Sequence, residues 1–159
     1  MNQDDVLTLD GMDGSVATKR FVICVSSYNR PITGKLLDGA LEELTQSGVA
    51  PAQIKILWVP GAWELVVAAK KVIDHADAVI CLGAVIKGET THDQYINATV
   101  SEELGRLSTA TIKPVAFGLL TCNTVQQAMD RCGGKVGNKG NEAVSAAVQM
   151  LRLFDQFDA

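Results

Sequence analysis

Four short apolar runs recur along the chain, each followed by a stretch with helical spacing, and that rhythm leaves few folds open. The runs lie at residues 21–25, 54–59, 78–86 and 115–120. The first, Phe21-Val22-Ile23-Cys24-Val25, is nearly continuous and β-branched, as expected of a strand buried on both faces. Pro31 then opens a helix that carries Leu36, Leu37, Ala40, Leu41 and Leu44 at i, i+4 spacing and stops at Gly48. A second helix follows the Pro60-Gly61 turn with Leu65, Val66, Ala69 and Val72 on one side. A third begins near Thr91 and runs through Ile96, Val100, Leu104 and Leu107. Residues 124–131 read as a short helix, 133–140 as a Gly-rich segment, and the last helix carries Val144, Ala147, Val148 and Leu151. Strands separated by helices pair in parallel through right-handed crossovers, with helices on both faces. The expected fold class is α/β, a three-layer α/β/α sandwich around a four-stranded parallel sheet.

Residues 1–18 stand apart as an arm. Val6-Leu7-Thr8-Leu9 has the pattern of one short strand, and Gly11 and Gly14 separate it from a single domain at 19–159. A chain of 159 residues fits one domain, and 47% apolar with 20% charged residues is a balance that buries a real core. Net charge is 14 − 18 = −4, which argues against a nucleic-acid surface, since that needs a basic stripe. No apolar run approaches the roughly 20 residues of a membrane span. Residues 1–5 are polar and acidic, without the basic and apolar regions of a secretory leader, so a cytoplasmic protein is expected. Cys24, Cys81, Cys122 and Cys132 show neither CxxC pairing nor a histidine at ligand spacing, so no metal site is expected. Cys24 and Cys81 sit inside β-branched runs and read as buried reduced thiols.

In an open parallel sheet, ligands bind outside the carboxyl ends of the strands. Nearly all the unusual residues fall on that edge: Tyr28 after strand one, Pro60 to Glu64 after strand two, Lys87 to His92 after strand three, and Cys122 to Thr124 after strand four. The Gly88 to His92 stretch is a strand-to-helix junction, where free N–H groups and the helix dipole favour an anion such as phosphate. Alternatively, Thr90 and Thr91 only cap the helix. His92 is a candidate general acid/base, whereas His75 sits in a surface turn. Glu64 either accepts hydrogen bonds from a polyol or only favours its helix terminus. Tyr28 either stacks on a planar ring or packs in the core. Arg131 and Lys135 flank the Gly-rich segment and either meet a phosphate or form a solvated helix end. A thiol enzyme built on Cys122 is a separate reading, since a helix start stabilises a thiolate.

These motifs together resemble the lumazine synthase family of riboflavin biosynthesis, from about Leu9 onward. The resemblance rests on Tyr28-Asn29, the VPGAWEL string at 59–65, LGAVIKGETTH at 82–92, PVAFG at 114–118 and RCGGKVGNKG at 131–140. It implies a flavodoxin-like sheet and a transferase that condenses 5-amino-6-(D-ribitylamino)uracil with 3,4-dihydroxy-2-butanone 4-phosphate. The products are 6,7-dimethyl-8-ribityllumazine, phosphate and water, and no cofactor or metal is implied. By resemblance, Tyr28 stacks on the pyrimidine, Ala62, Trp63 and Glu64 hold the ribityl chain, and Ala84, Val85 and Ile86 read the uracil edge. Glu89 and Thr90 match the phosphate turn and His92 the proton-transfer residue. Phe117, Arg131 and Lys135 match positions delivered by an adjacent subunit, with Arg131 on the phosphate.

Homopentamers are implied, with a shell of twelve pentamers (a 60-mer icosahedral capsid) favoured by the compact 133–140 segment. Association with riboflavin synthase is also implied. The arm strand at 6–9 is expected to add to a neighbouring subunit's sheet edge. The sequence departs from the family pattern at Asp93-Gln94, where an aromatic and an acid usually follow the histidine, and at Ser27, where a basic residue is common. A non-catalytic flavin- or lumazine-binding or shell-forming paralogue shares every one of these motifs.

Overall fold

The first apolar run becomes β1 (Phe21–Ser26), and each of its six residues is buried because the strand lies in the middle of the sheet. The structure is a computed structural model and describes Asn2 and residues 6–159. Most of residues 1–5, on which the expectation of no leader rests, lies outside the described residues. Strands β2 (Ile54–Val59) and β3 (Ala78–Ile86) flank β1 in parallel, and β4 (Val115–Cys122) pairs in parallel with β3. The sheet order is β2-β1-β3-β4. With helices on both faces, this is the expected flavodoxin-like α/β fold.

The helices are α1 (Arg30–Gln46), α2 (Glu64–Val72), α3 (His92–Thr111), α4 (Val125–Arg131) and α5 (Lys139–Phe157). The period-2 alternation of strand side chains divides the core in two. Phe21, Ile23 and Val25 of β1 pack with Leu36, Ala40 and Leu44 of α1 and with Val144, Ala147 and Val148 of α5. Val22 and Cys24 point the other way, joining Cys81 of β3, Leu65 and Ala69 of α2, and Val100 and Leu104 of α3. Burying each large aliphatic side chain contributes roughly 1.5–3 kcal/mol, so both layers are anchored by the same central strand.

Three departures from the sequence reading concern local structure. The strands at 21 and 115 run one or two residues further, to Ser26 and Cys122. The Gly-rich segment is not a plain loop: β5 (Cys132–Gly134) and β6 (Gly137–Asn138) form an antiparallel hairpin. Residues 6–9 form no strand within their own chain. Gly11 and Gly14 do not loosen the arm; they seat it. Gly11 has φ +68°, and a Cβ there would lie 2.2 Å from the Gln149 carbonyl oxygen of α5. Beside it, Arg152 donates to Met12 O at 3.2 Å, Gln156 donates to Asp13 O at 3.0 Å, and Lys19 pairs with Asp155 at 2.7 Å. Among the described residues, no helix is long and apolar enough to cross a membrane.

Candidate active site

Sheet order reverses between β1 and β3, so their carboxyl ends diverge into helices on opposite faces and leave a crevice. The chain leaving β1 leans toward β2: Ser27 N–H donates to Val59 O at 2.7 Å and Tyr28 N–H to Pro60 O at 3.1 Å. That path turns the Tyr28 ring out, 72% exposed, which removes the core reading. Asn29 follows in the left-handed region (φ 60°, ψ 39°) and sends its Nδ2 across the crevice to Ala84 O at 2.9 Å. The Arg30 guanidinium stacks 4.2 Å above Trp58 and leaves the turn beside Tyr28 firmly attached to β2.

After β2, Ala62 is buried and Trp63 is 53% exposed. Glu64, half-buried in the first turn of α2, holds Oε2 3.0 Å from where a Cβ on Gly61 would stand. The carboxylate therefore lies over bare backbone, next to the Tyr28 turn through Pro60. After β3, the ladder to β1 ends at Val25 and Leu82, but the ladder to β4 continues to Ile86 and Cys122. Lys87 N–H extends it by donating to Cys122 O at 2.8 Å. Parallel strands present alternate residues to alternate neighbours, so Ala84 and Ile86 face the β1 side, where no strand continues. Ile86 thus offers its backbone donor and acceptor to the crevice.

Residues 87–92 are exposed, Glu89 and Thr90 among them. Thr91 makes no side-chain cap bond, and Thr90 Oγ1 accepts only a long 3.5 Å bond from His92 N–H. The capping reading is therefore weak: the 20-residue helix starts without a good side-chain cap, although Gln94 N–H donates to Thr91 O at 3.0 Å. His92 is its first residue, exposed to solvent. Asp93 buries Oδ1 without a partner, and no ion pair joins it to His92 among the described residues. His75 is on the surface, as expected.

All four cysteines are free and buried. Burial pushes the Cys122 thiol up, and the nearby Arg131 charge only partly opposes it. A thiol held neutral does not suit a nucleophile, so the structure speaks against the thiol reading. Arg131 donates to Gln127 O at 3.1 Å and has no ion-pair partner among the described residues. Its neighbour Asp130 is taken instead by Gln126 Nε2 at 2.9 Å and Lys135 Nζ at 3.4 Å. The Gln126 hydrogen bond, against some burial, and then Lys135 hold that carboxyl below its usual range. Phe117 is not brought to this edge. It pairs with Cys81 in the middle of β4, 40% exposed.

Tyr28, Ala62, Trp63, Glu64, Ala84, Val85, Ile86, Glu89, Thr90 and His92 thus share one edge, with Arg131 and Lys135 beside the end of β4. Asn29 received no role from the sequence, although an asparagine between a strand end and the helix-opening Pro31 is a signal of a left-handed position. Sheet order and crevice define a flavodoxin-like α/β protein with a ligand cleft at the carboxyl ends of its strands. Its family is narrower than its fold: the 6,7-dimethyl-8-ribityllumazine synthase family model matches residues 18–155, and the chain belongs to that family. A 6,7-dimethyl-8-ribityllumazine synthase of Rhodopirellula baltica is 47% identical over 148 residues, covering 92% of this chain and 96% of the relative. One from Syntrophus aciditrophicus is 48% identical over 139 residues (86% and 90%), and one from Thermus thermophilus 44% over 138 residues (86% and 88%).

Proposed function

We propose that the chain condenses 5-amino-6-(D-ribitylamino)uracil with 3,4-dihydroxy-2-butanone 4-phosphate to 6,7-dimethyl-8-ribityllumazine, phosphate and water. It is a transferase of riboflavin biosynthesis, as its family is. The observation that carries the site reading is the junction of β1, β2 and β3, where an exposed aromatic, a carboxylate over bare backbone and an unpaired strand edge meet. Tyr28 stacks on the pyrimidine, the free backbone of Ile86 binds its edge beside Ala84 and Val85, and Ala62, Trp63 and Glu64 take the ribityl hydroxyls. Glu89, Thr90 and the start of α3 hold the phosphate, joined by Arg131. Lys135 and Phe117 close the heterocycle pocket from an adjacent subunit.

The arylamine attacks the ketone carbon, and loss of water leaves an imine. Phosphate then leaves with its bonding electrons, the resulting enol tautomerises to a ketone, and the second amine attacks that carbonyl and expels a second water as the ring closes. His92, beside the phosphate turn, moves protons to the departing oxygens. Much of the acceleration comes from holding two substrates in register. Incubation with both substrates, followed by lumazine fluorescence, tests this: product is expected, and binding without turnover would favour the non-catalytic paralogue.

The assembly is a homopentamer of about 85 kDa (5 × 16.9), twelve of which close into a shell of about 1 MDa (60 × 16.9). Supporting it, Tyr95 and Val67 lie exposed on α3 and α2, and both sheet edges are open to an arm such as residues 6–9. Light scattering decides: an active 17 kDa species excludes both states, and an 85 kDa ceiling excludes the shell. We place the enzyme in the cytoplasm, in keeping with four free thiols, and expect riboflavin synthase to co-elute with the shell.

A further inference from the structure

We propose that Asn29 is a positioning residue for the uracil substrate, its side-chain amide standing in for a missing rung between β1 and β3. The ladder joining these strands ends at Val25 and Leu82 because β1 turns away, giving its next N–H groups to Val59 and Pro60 of the other neighbour. Ala84 O is then the next acceptor on β3 that faces β1, and it is buried: Ala84 is 2% exposed. No backbone N–H is available for it, and an unmet buried carbonyl is costly. Asn29 Nδ2 meets it at 2.9 Å.

Only an unusual backbone puts the amide there. Asn29 holds φ 60°, a conformation that asparagine tolerates better than most side chains, while its own carbonyl accepts the N–H groups of Ile32 and Thr33 at 2.8 and 3.1 Å. The residue therefore starts α1 with its backbone and ties β3 with its side chain. The consequence is spatial. Tyr28 lies one residue before the amide, and Val85 and Ile86 lie one and two residues after the carbonyl. A single bond thus sets the spacing between the stacking ring and the backbone edge that binds the same heterocycle. The phosphate turn at Glu89 and Thr90 is further along and carried by α3, outside this tie.

The inference rests on the condensation proposed above and is tested by three substitutions that separate its parts. Asn29→Asp keeps shape and left-handed tolerance but faces a carbonyl oxygen with a carboxylate, which cannot donate. Asn29→Gly keeps the backbone and removes the amide, so it decides the matter if the aspartate variant does not fold. Asn29→Ala adds left-handed strain. Steady-state kinetics with each substrate varied should show the KM for the ribitylaminouracil rising roughly tenfold in the glycine variant, and further in the aspartate variant. The KM for the ketone phosphate should stay within about twofold.

Calorimetry with 6-(D-ribitylamino)uracil, which lacks the attacking amine, should show the same loss, while binding of inorganic phosphate should not change. Equal weakening of both substrates, or an unchanged uracil KM with only a lower melting point, overturns the positioning role and leaves Asn29 as a helix start. No turnover by the unsubstituted protein would instead remove the proposed condensation, and this inference with it.

Discussion

Gly140→Ala should destabilise the protein although alanine is the better helix former. Gly140 lies in the first turn of α5, where that helix crosses α1, and its amide donates to Asn138 Oδ1 at 2.8 Å. A Cβ built there falls 1.9 Å from Leu36 O and 2.8 Å from Leu36 C. These are backbone atoms inside α1, so no side-chain rotation relieves the clash. Reaching an ordinary 3.4 Å contact requires the helices to part by about 1.5 Å (3.4 − 1.9). The seam that opens is the one packed by Leu36, Ala40 and Leu44 against Val144, Ala147 and Val148. Overpacking of this kind costs about 1–3 kcal/mol, and a rigid obstacle places it at the upper end. Helix propensity returns at most about 1 kcal/mol, leaving a net loss near 2 kcal/mol. At about 2–4 °C per kcal/mol for a chain of this length, the melting temperature should fall by roughly 4–8 °C at fixed protein concentration. Gly34→Ala in α1, with nothing within 4 Å of the added carbon, is the control and should melt at or above the parent temperature. Equal melting of Gly140→Ala and the parent would refute the close-approach reasoning.

Arg131→Ala should raise the KM of the ketone phosphate far more than that of the uracil, because an unpaired guanidinium fork matches phosphate; equal losses would count against the assignment. His92→Ala should lower turnover by about 10²-fold, and by no more than about 10⁴-fold, while a product analogue still binds; unchanged turnover at neutral pH would remove it from the proton transfers. Asp77 should make stability depend on acid pH. Burial alone would raise its carboxyl, but hydrogen bonds and charge from Arg20 outweigh that and hold it below its usual value. A depressed folded pKa means the unfolded chain binds more protons, so this contribution is complete above about pH 4 and is lost as pH falls through the folded value. Asp77→Asn should flatten the melting profile below about pH 4, and an unaltered slope there would contradict the linkage.

The strands were legible because each is an apolar run that ends where polar residues gather, and β2 and β3 begin and end at the residues their composition indicates. Local pattern could not show what depends on distant partners. The 133–140 segment looked like a loop because glycine has no strand preference. It becomes a hairpin because Asn138 Nδ2 donates to Lys35 O at 2.8 Å and pins one of its strands to α1. Gly11 and Gly14 read as a break between arm and domain, since the contact that explains Gly11 is with Gln149, far along the chain. The site shows the same division. Residue types and their edge were readable from the strand ends, but neither Tyr28's exposure nor the bond from Asn29 to Ala84 was, because both follow from β1 turning toward β2. Asp93-Gln94 stood out in the sequence only as a departure from the family pattern, and nothing local showed that the helix turns Asp93 Oδ1 inward.

The proposed site is incomplete within one chain, and the sheet register gives the reason in the case of Phe117. It pairs with Cys81, whereas the crevice lies at the level of Ile86 and Cys122, five residues along β4. At about 3.3 Å per residue that is about 16 Å, well beyond the reach of a phenylalanine side chain. If Phe117 contributes to a heterocycle pocket, the pocket belongs to another copy, and Arg131 and Lys135 are expected to be delivered with it. Mixing two inactive variants tests the sharing directly. His92→Ala chains keep an intact Arg131, and Arg131→Ala chains keep an intact His92. When equal amounts are unfolded, combined and refolded together, random neighbours should rebuild both halves at about one site in four, restoring about a quarter of the parent activity. Refolding each variant alone should restore none of that increment. Mixed assemblies no more active than the mean of the two variants would show that Arg131 and His92 serve the same chain, and the shared site would have to be abandoned.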